Sequence, residues 1–268
     1  MLIVDCFMFY NEIDLLLYRL NSLQEVVDYF VIVESKYTHS GKEKPLFYND
    51  NKDLFKEFEP KIIHITLNDA PFKYPNINYS KHQQWDNEHF HRNGIKNGID
   101  QLLLKDEDII IISDLDEIPD RETLKNIKIG NLVINDIFNL KQDFYYYNLN
   151  SKMNEVWTYA KILSYRIYKS LNKSCQDLRC HNCRSLDKGG WHLSYFGDKH
   201  FIKNKIENFG HQEFNNELYT DLDSIQNKIT NQIDLYNRSY ERILKIPIKD
   251  NNYLPYKYEE FLEKYVSY

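Results

Sequence analysis

Along the first half of the chain, short apolar runs alternate with segments whose apolar residues recur at helical spacing. The runs are rich in branched and aromatic side chains, as in strands buried on both faces, and they span residues 1–10, 26–35, 61–67 and 109–112. Helical spacing is found in residues 13–23, 53–58 and 80–104. This strand–helix–strand repetition predicts a mainly parallel sheet with helices on both faces.

The second half of the chain has a different pattern. Residues 132–147 and 156–168 read as strands rich in aromatic side chains, which indicates a mixed or antiparallel region. Residues 189–197 form a short strand between glycines, and Asp198 is placed to cap a following helix. A longer amphipathic helix is expected over residues 225–244. Together the two halves predict an α/β fold with a mixed central sheet flanked by helices.

Composition supports one domain over residues 1–268, because no segment rich in Pro, Gly and Ser divides the chain. The hydrophobic share of 42% is enough for a large core. A net charge of −6 without a basic block argues against nucleic acid as a partner. The apolar N-terminus is short and contains Asp5, so we expect no signal peptide, no membrane anchor and a cytoplasmic protein.

Two aspartates follow the isoleucine run in the segment I-I-I-I-S-D-L-D-E-I-P. Side chains alternate along a strand, so Asp114 and Asp116 would project to one side while Leu115 turns inward. Two neighbouring carboxylates repel each other unless a cation lies beside them. Because open α/β sheets bind ligands beyond the carboxyl ends of their strands, the pattern predicts a divalent metal that holds a phosphorylated substrate.

Helix capping is the alternative interpretation of these acids. Pro119 suits a first helical position, and Asp120 and Glu122 suit a first turn. If a metal is bound, Mn²⁺ matches carboxylate, phosphate and imidazole ligands best, with Mg²⁺ as the second choice.

Further polar residues lie near the same predicted edge. Glu34 ends the second strand and could accept from a ribose or base, or could be a solvated strand end. Arg92 and Asn93 lie on the helix before the aspartates, where an arginine could bind phosphate. The alternative for Arg92 is a surface ion pair with Glu88, one helical turn away.

Histidine, tryptophan and cysteine residues of the second half are weaker candidates. His192 and His211 could bind a metal or substrate, or could be structural. Trp157 and Trp191 could stack on a sugar or pack in the core. Three cysteines, Cys175, Cys180 and Cys183, lie near His181 in the sequence. They could form a zinc site, form a disulfide or stay free thiols.

Several of these segments in the same order resemble glycosyltransferase family 17. The resemblance lies in D-C-F-M-F-Y-N-E-I-D-L-L-L-Y-R-L from Asp5, V-I-V-E-S-K-Y-T-H-S-G-K-E-K-P from Val31, H-R-N-G-I from His91, I-I-I-S-D-L-D-E-I-P and G-G-W-H-L-S-Y-F-G. It implies a GT-A-type, Rossmann-like nucleotide-sugar fold, a UDP-N-acetylglucosamine donor, a divalent metal and inversion at the anomeric carbon. In that fold residues 1–130 would bind the nucleotide and residues 131–268 would form the acceptor side.

The resemblance also implies roles for individual residues. Asp114 and Asp116 match the metal-binding D-x-D of that fold. Independently of the resemblance, His192 stays a further candidate ligand. Arg92 and Asn93 fall where related enzymes contact the diphosphate, and Glu34 falls where they hold the uridine.

An inverting transfer also needs a carboxylate that takes the acceptor proton, and Glu213 and Asp187 are the two candidates. Because no anchor is expected, we predict a surface glycan or glycolipid acceptor rather than an N-glycan. Two alternatives remain at this point: a metal-dependent nucleotidyltransferase or pyrophosphatase, and a carbohydrate- or nucleotide-binding protein without turnover.

Overall fold

The computed structural model describes residues 1–238 and 242–266. Its strands within these ranges are β1 (Ile3–Phe9), β2 (Tyr29–Ser35), β3 (Ile62–Leu67), β4 (Ile109–Asp114), β5 (Glu117–Pro119), β6 (Phe138–Tyr146), β7 (Ser151–Trp157), β8 (Lys161–Ser164), β9 (Ser185–Ser194) and β10 (Ile243–Lys245). Its α-helices are α1 (Ile13–Leu23), α2 (Phe47–Asp50), α3 (Gln83–Asn93), α4 (Ile95–Ile99), α5 (Arg121–Lys128), α6 (Tyr165–Leu171), α7 (Cys175–Arg179), α8 (Lys199–Asn208), α9 (Glu217–Thr220), α10 (Leu222–Asn231) and α11 (Tyr258–Phe261). Short 3₁₀ helices span Lys52–Lys61, Tyr79–Lys81, Gln212–Phe214, Ile248–Asp250 and Glu263–Tyr265.

The strands form one mixed sheet in the order β10-β7-β6-β8-β4-β1-β2-β3, and β9 joins it by pairing with β5 and β6. Strands β4, β1, β2 and β3 are parallel to one another. The pairs β4–β8, β6–β8 and β6–β7 are antiparallel. This arrangement confirms the predicted α/β fold with a mixed central sheet flanked by helices.

The isoleucine run forms the interior strand β4, whose side chains alternate between two apolar layers. Ile109 and Ile111 pack in the same cluster as Leu16 and Leu20 of α1. Ile110 and Ile112 pack on the other face with residues of α4, among them Ile95 and Ile99. Each fully buried side chain of this kind stabilises the fold by about 1.5–3 kcal/mol, so the run fixes β4 at the centre of the sheet.

The helix predicted over residues 80–104 is present as two shorter helices, α3 and α4, joined at Gly94. Gly98 lies where α4 crosses β2, and a Cβ atom at this position would come within 2.3 Å of Val31. Any larger residue here would force Val31 or the helix to shift, so glycine allows the close approach of α4 to β2. The predicted helix over 53–58 is a 3₁₀ helix.

Predicted elements of the second half end earlier than expected, and the strand predicted over 189–197 is part of β9, which ends at Ser194. The segment predicted as one strand over 156–168 contains the end of β7 and then β8, which stops at Ser164. The hydroxyl of Ser164 accepts from the Ile167 backbone N–H and so starts helix α6. The long helix predicted over 225–244 ends at Asn231, because Gln232 adopts a left-handed conformation with φ of 52°. Part of that prediction, residues 239–241, lies outside the described residues.

Within residues 1–238 and 242–266, no helix has both the length and the apolar character needed to cross a bilayer. The cytoplasmic location and the division at residue 130 stay predictions.

Candidate active site

A cavity of about 280 Å³ lies beyond the carboxyl ends of β1 and β4. The acidic residues that line it are Glu12, Glu88, Asp114 and Asp116. The cationic residues that line it are Lys44, Arg92, Arg179 and Lys205. Aromatic side chains, including Tyr10, Trp85 and Trp157, form much of the remaining wall. The cavity therefore combines apolar surface with charges of both signs, as expected for a site that binds a polar ligand.

Asp114 stands at the end of β4 between two arginines. Arg179 donates to its Oδ2 atom at 2.7 Å, and Arg92 donates to its Oδ1 atom at 3.1 Å. Burial raises the pKa of Asp114, but the attraction of the two guanidinium groups outweighs it and brings the pKa below the ordinary value. Asp114 is consequently ionised, and each of its oxygens already has a cationic partner.

Asp116 is paired with a different cation. Lys205 of α8 donates to its Oδ2 atom at 3.0 Å, and the Nε2 atom of His192 lies 3.5 Å from its Oδ1 atom. Burial acts to raise the pKa of Asp116, whereas Lys205 and His192 lower it, and the net shift is well below the ordinary value. Burial disfavours the charged form of Lys205 as well and so lowers its pKa, but the negative charges of Asp116 and Glu12 raise the pKa more. Both partners are therefore charged across the neutral range.

A buried arginine from α1 holds the turn that carries the two aspartates. Arg19 and Asp5 form an ion pair at 2.6 Å, and both side chains are fully buried. The Nη1 atom of Arg19 donates to the carbonyl oxygens of Asp114, Leu115 and Glu117 at 2.8, 2.9 and 3.0 Å. One guanidinium group thereby donates to three backbone carbonyl oxygens of the turn and holds them together.

The capping interpretation of Asp114 and Asp116 is wrong, because Asp120 performs that role. Its Oδ1 atom accepts from the backbone N–H groups of Glu122 and Thr123 at the start of α5. Pro119 ends strand β5 instead of beginning the helix.

His192 lies in an aromatic setting beside Asp116. Its ring stacks on Phe144 with centroids 4.6 Å apart, and the centroid of Trp157 is 4.2 Å away. Its Nδ1 atom is buried and, among the described residues, has no hydrogen-bond partner. Trp157 lines the cavity and donates to Glu117, whereas Trp191 is buried in the core and donates to the Tyr253 carbonyl oxygen.

The three residues predicted to bind the nucleotide lie in different surroundings. Arg92 lines the cavity. It pairs with Glu88 at 2.8 Å, as the alternative interpretation predicted, but the pair is not at the surface because Arg92 is buried. Asn93 is not among the lining residues, and its side chain accepts from the Gln176 backbone N–H at 3.0 Å. Glu34 is also absent from the lining, because its fully buried carboxylate accepts from the Tyr48 backbone N–H at 2.9 Å.

Neither carboxylate expected as the base lines the cavity. Glu213 is half exposed and contacts His211, which does line the cavity, at 2.7 Å. Asp187 is 83% exposed and pairs with Lys141 at the surface. The structure therefore brings together Arg92, Asp114, Asp116 and His192, and leaves Asn93, Glu34, Glu213 and Asp187 outside the lining.

Lys44 adds a titratable cation to the wall of the cavity. Burial lowers the pKa of Lys44 to about 8, although the carboxylates of Glu34 and Glu12 oppose that shift. His91, also on the wall, has a pKa lowered by burial to about 3 and is therefore neutral.

The side chains of the cavity can coordinate a divalent ion only if a bound substrate supplies further ligand atoms. Asp114 and Asp116 offer carboxylate oxygens and His192 an imidazole nitrogen, but within the described residues no three His, Cys, Asp or Glu side chains form a complete set of metal ligands. Phosphate oxygens would have to complete the shell, as is common for Mg²⁺ and Mn²⁺. The four cysteines are free thiols, and the zinc and disulfide alternatives receive no support.

Sequence comparison supplies the family. The profile described as "Glycosyltransferase family 17" matches residues 2–243. Two β-1,4-mannosyl-glycoprotein 4-β-N-acetylglucosaminyltransferases, from Homo sapiens and Rattus norvegicus, are each 30% identical over 123 residues, which is 44% of this chain. The matched segment spans 22% of the length of each relative.

A solved structure, 4-diphosphocytidyl-2C-methyl-D-erythritol synthase from Anaerococcus prevotii, superposes with a TM-score of 0.37 at 10% identity, covering 75% of this chain and 95% of that chain. That similarity is too low to support an inference. The family profile extends over most of the chain and includes both aspartates at the cavity, so the chain belongs to glycosyltransferase family 17.

Proposed function

We propose that this protein is a glycosyltransferase that moves N-acetylglucosamine from UDP-N-acetylglucosamine to a glycan or glycolipid acceptor, with inversion at the anomeric carbon. Family membership supports the reaction class, and the similarity to two N-acetylglucosaminyltransferases supports the sugar. The observation that carries the proposal is that Asp114 and Asp116 line one cavity with four cationic side chains at the end of a parallel strand pair.

Charge explains how this cavity would hold the donor. A nucleoside diphosphate is polyanionic, and Arg92, Arg179, Lys205 and Lys44 provide the positive charge around it. Arg92 and Arg179 are largely shielded from water, with 1% and 8% of their side chains exposed, which strengthens their attraction for the phosphates. We propose that the nucleotide lies mainly against residues 1–130 and the acceptor mainly against residues 131–268.

Asp114 and Asp116 would hold Mn²⁺ or Mg²⁺ together with the diphosphate, with His192 as a further ligand. When bound, the ion would act as a Lewis acid for the charge that develops on the leaving phosphate. The chain's own arginines and Lys205 would add fixed positive charge in the same place, so that little reorganisation is needed as the bond breaks. Trp157 and the other aromatic side chains would keep water from the reacting centre.

The decisive experiment incubates the protein with UDP-N-acetylglucosamine, Mn²⁺ and a panel of oligosaccharides. We expect release of UDP and formation of a glycoside with inverted configuration. Asp116→Asn should abolish the reaction, whereas Asp136→Asn, at an exposed position outside the cavity, should keep the wild-type rate.

Other products would favour the other candidate functions. Consumption or release of pyrophosphate would indicate a nucleotidyltransferase or pyrophosphatase. Binding of UDP without turnover for any acceptor would indicate a binding protein, and either result would overturn the proposal.

A further inference from the structure

A second cavity, of about 590 Å³, borders the loop between β1 and α1. It is formed by residues 11–15, the turn at 147–148, residues 196–198 and residues 264–266, with Phe201 and Ile229 completing the wall. Among the described residues, Glu12 is the one that lines both this cavity and the cavity that contains the two aspartates.

The carboxylate of Glu12 is held in place by contacts on both oxygens. Its Oε2 atom accepts from the Asn11 backbone N–H at 3.1 Å, and its Oε1 atom lies 3.5 Å from the ammonium group of Lys205. The same ammonium group lies 3.0 Å from Asp116, so one cation bridges Glu12 and the aspartate proposed to face the diphosphate. The side chain of Glu12 is 11% exposed, which leaves it largely shielded but still in contact with both cavities.

The wall of the second cavity has the chemistry of a saccharide site. Phe196 and Tyr265 pack together there with ring centroids 5.0 Å apart, which provides an apolar surface for the C–H face of a sugar. Polar groups on the same wall are Asn11, Asn148 and the ion pair of Asp14 with Lys264, in which the Asp14 side chain is 62% exposed and can still accept from hydroxyls. Apolar surface with a few placed polar groups is the usual make-up of small-molecule sites.

We propose that the second cavity binds the glycan acceptor and that Glu12 is the catalytic base, an inference that rests on the proposed function. The acceptor hydroxyl transfers its proton to the Glu12 carboxylate while its oxygen forms a bond to the anomeric carbon. The bond from that carbon to the diphosphate oxygen breaks, and its electron pair leaves with UDP. Glu12 then releases the proton to solvent, so the products are the glycoside, UDP and one proton.

This position meets a requirement that the carboxylates expected from the sequence do not. A base must lie between the acceptor and the donor, within hydrogen-bond reach of the attacking hydroxyl. Glu12 stands on the wall common to the two cavities, whereas Glu213 and Asp187 line neither of them.

The first test compares Glu12→Gln with wild type, using UDP-N-acetylglucosamine and Mn²⁺ with water or oligosaccharides as acceptors. The amide keeps the size of the side chain but cannot take the proton, so UDP release should fall by a factor of about 10² to 10⁴. The Kd of UDP, measured by calorimetry, should stay within about threefold, which also shows that the variant is folded. Glu207→Gln, on α8 and outside both cavities, is the matched control and should react at the wild-type rate.

The second test fills the cavity without touching Glu12. Ile229→Trp places a larger side chain on the cavity wall, while Gln226→Trp introduces the same side chain at an exposed position of the same helix. For the oligosaccharide that most accelerates UDP release, Ile229→Trp should raise the acceptor KM at least about tenfold and leave the donor KM unchanged. Gln226→Trp should change neither constant.

The outcomes separate this inference from the proposed function. If wild type releases no UDP from the sugar nucleotide, the proposed function fails and this inference fails with it. If wild type is active and Glu12→Gln is equally active, only the assignment of the base is overturned. Equal acceptor KM values for the two tryptophan variants, or no acceleration by any oligosaccharide, would overturn the assignment of the second cavity.

Discussion

The Nη1 atom of Arg19 lies 2.8 Å from the carbonyl oxygen of Asp114, although 95 positions separate the two residues in the chain. The same guanidinium group pairs with Asp5 on β1, which neighbours β4 in the sheet. The first helix therefore controls the backbone geometry of the aspartate turn through one buried side chain. This contact links the stability of the sheet to the shape of the site.

Arg19→Met should be strongly destabilising. The change leaves the carboxylate of Asp5 buried without its partner, and removing one member of a buried ion pair costs about 3–5 kcal/mol. Urea unfolding at pH 7 measures the loss. Arg184→Met is the control, since Arg184 is 73% exposed and its contact with Asp136 at 4.0 Å should contribute less than about 1 kcal/mol. Equal losses for the two variants would contradict the role of Arg19.

The first half of the fold was predictable because its signals are local. Runs such as 109–112 consist of branched apolar residues without a polar residue between them, which indicates a strand buried on both faces. They are also too short to be long helices. The helix predicted over 225–244 failed for the opposite reason. Its apolar spacing continues past Asn231, but the chain turns at Gln232 and residues 243–245 pair with β7. Tertiary pairing of this kind leaves no mark in local periodicity.

The aspartates of the site were predictable, while their partners were not. Asp114 and Asp116 follow an unmistakable strand, but Arg179 and Lys205 reach them from 65 and 89 positions away. Neither cation stands in a pattern that distinguishes it from other lysines and arginines. The role of Glu34 was ambiguous in the sequence, because a strand-end carboxylate can face a ligand or cap a helix. Here it accepts from backbone N–H groups in the first turn of α2.

Lys205→Met should destabilise the protein in a pH-dependent way. Pairing with Lys205 lowers the pKa of Asp116, so its contribution is present above the unfolded pKa of about 4 and is lost as the pH falls below it. At pH 7 the variant leaves the buried carboxylate of Asp116 without its ammonium partner and with His192 as its remaining contact, and we expect a loss of about 3–5 kcal/mol.

As the pH falls from 7 to 4, Asp116 of that variant, which lacks its ammonium partner, can take up a proton and so lose part of the destabilisation. The difference in unfolding free energy between wild type and Lys205→Met should therefore shrink over this range. Urea unfolding at several pH values measures it, and a difference that stays constant or grows on acidification would show that Asp116 does not depend on Lys205.

Binding of Mn²⁺ and UDP should be strongly coupled. Without a nucleotide, the oxygens of Asp114 and Asp116 contact Arg92, Arg179 and Lys205, so few free ligands remain for a cation. Phosphate oxygens supply the missing ligands, and their negative charge offers the arginines another partner. Calorimetry with Mn²⁺ alone should show weak binding, whereas saturating UDP should tighten it at least about tenfold. Tight binding of Mn²⁺ to the free protein would refute this coupling.

The affinity for UDP should fall at alkaline pH because Lys44 loses its charge. Burial lowers the pKa of Lys44 to about 8, so the ammonium form predominates below that value and attracts the diphosphate. A bound anion favours the protonated form, which means that UDP binding must weaken as the pH rises above about 8, by up to about tenfold per pH unit. Calorimetric titrations of UDP between pH 7 and pH 9 test this slope. In Lys44→Met the affinity at pH 7 should be lower and should no longer change across this range, and a slope that persists in the variant would assign the titration to another group.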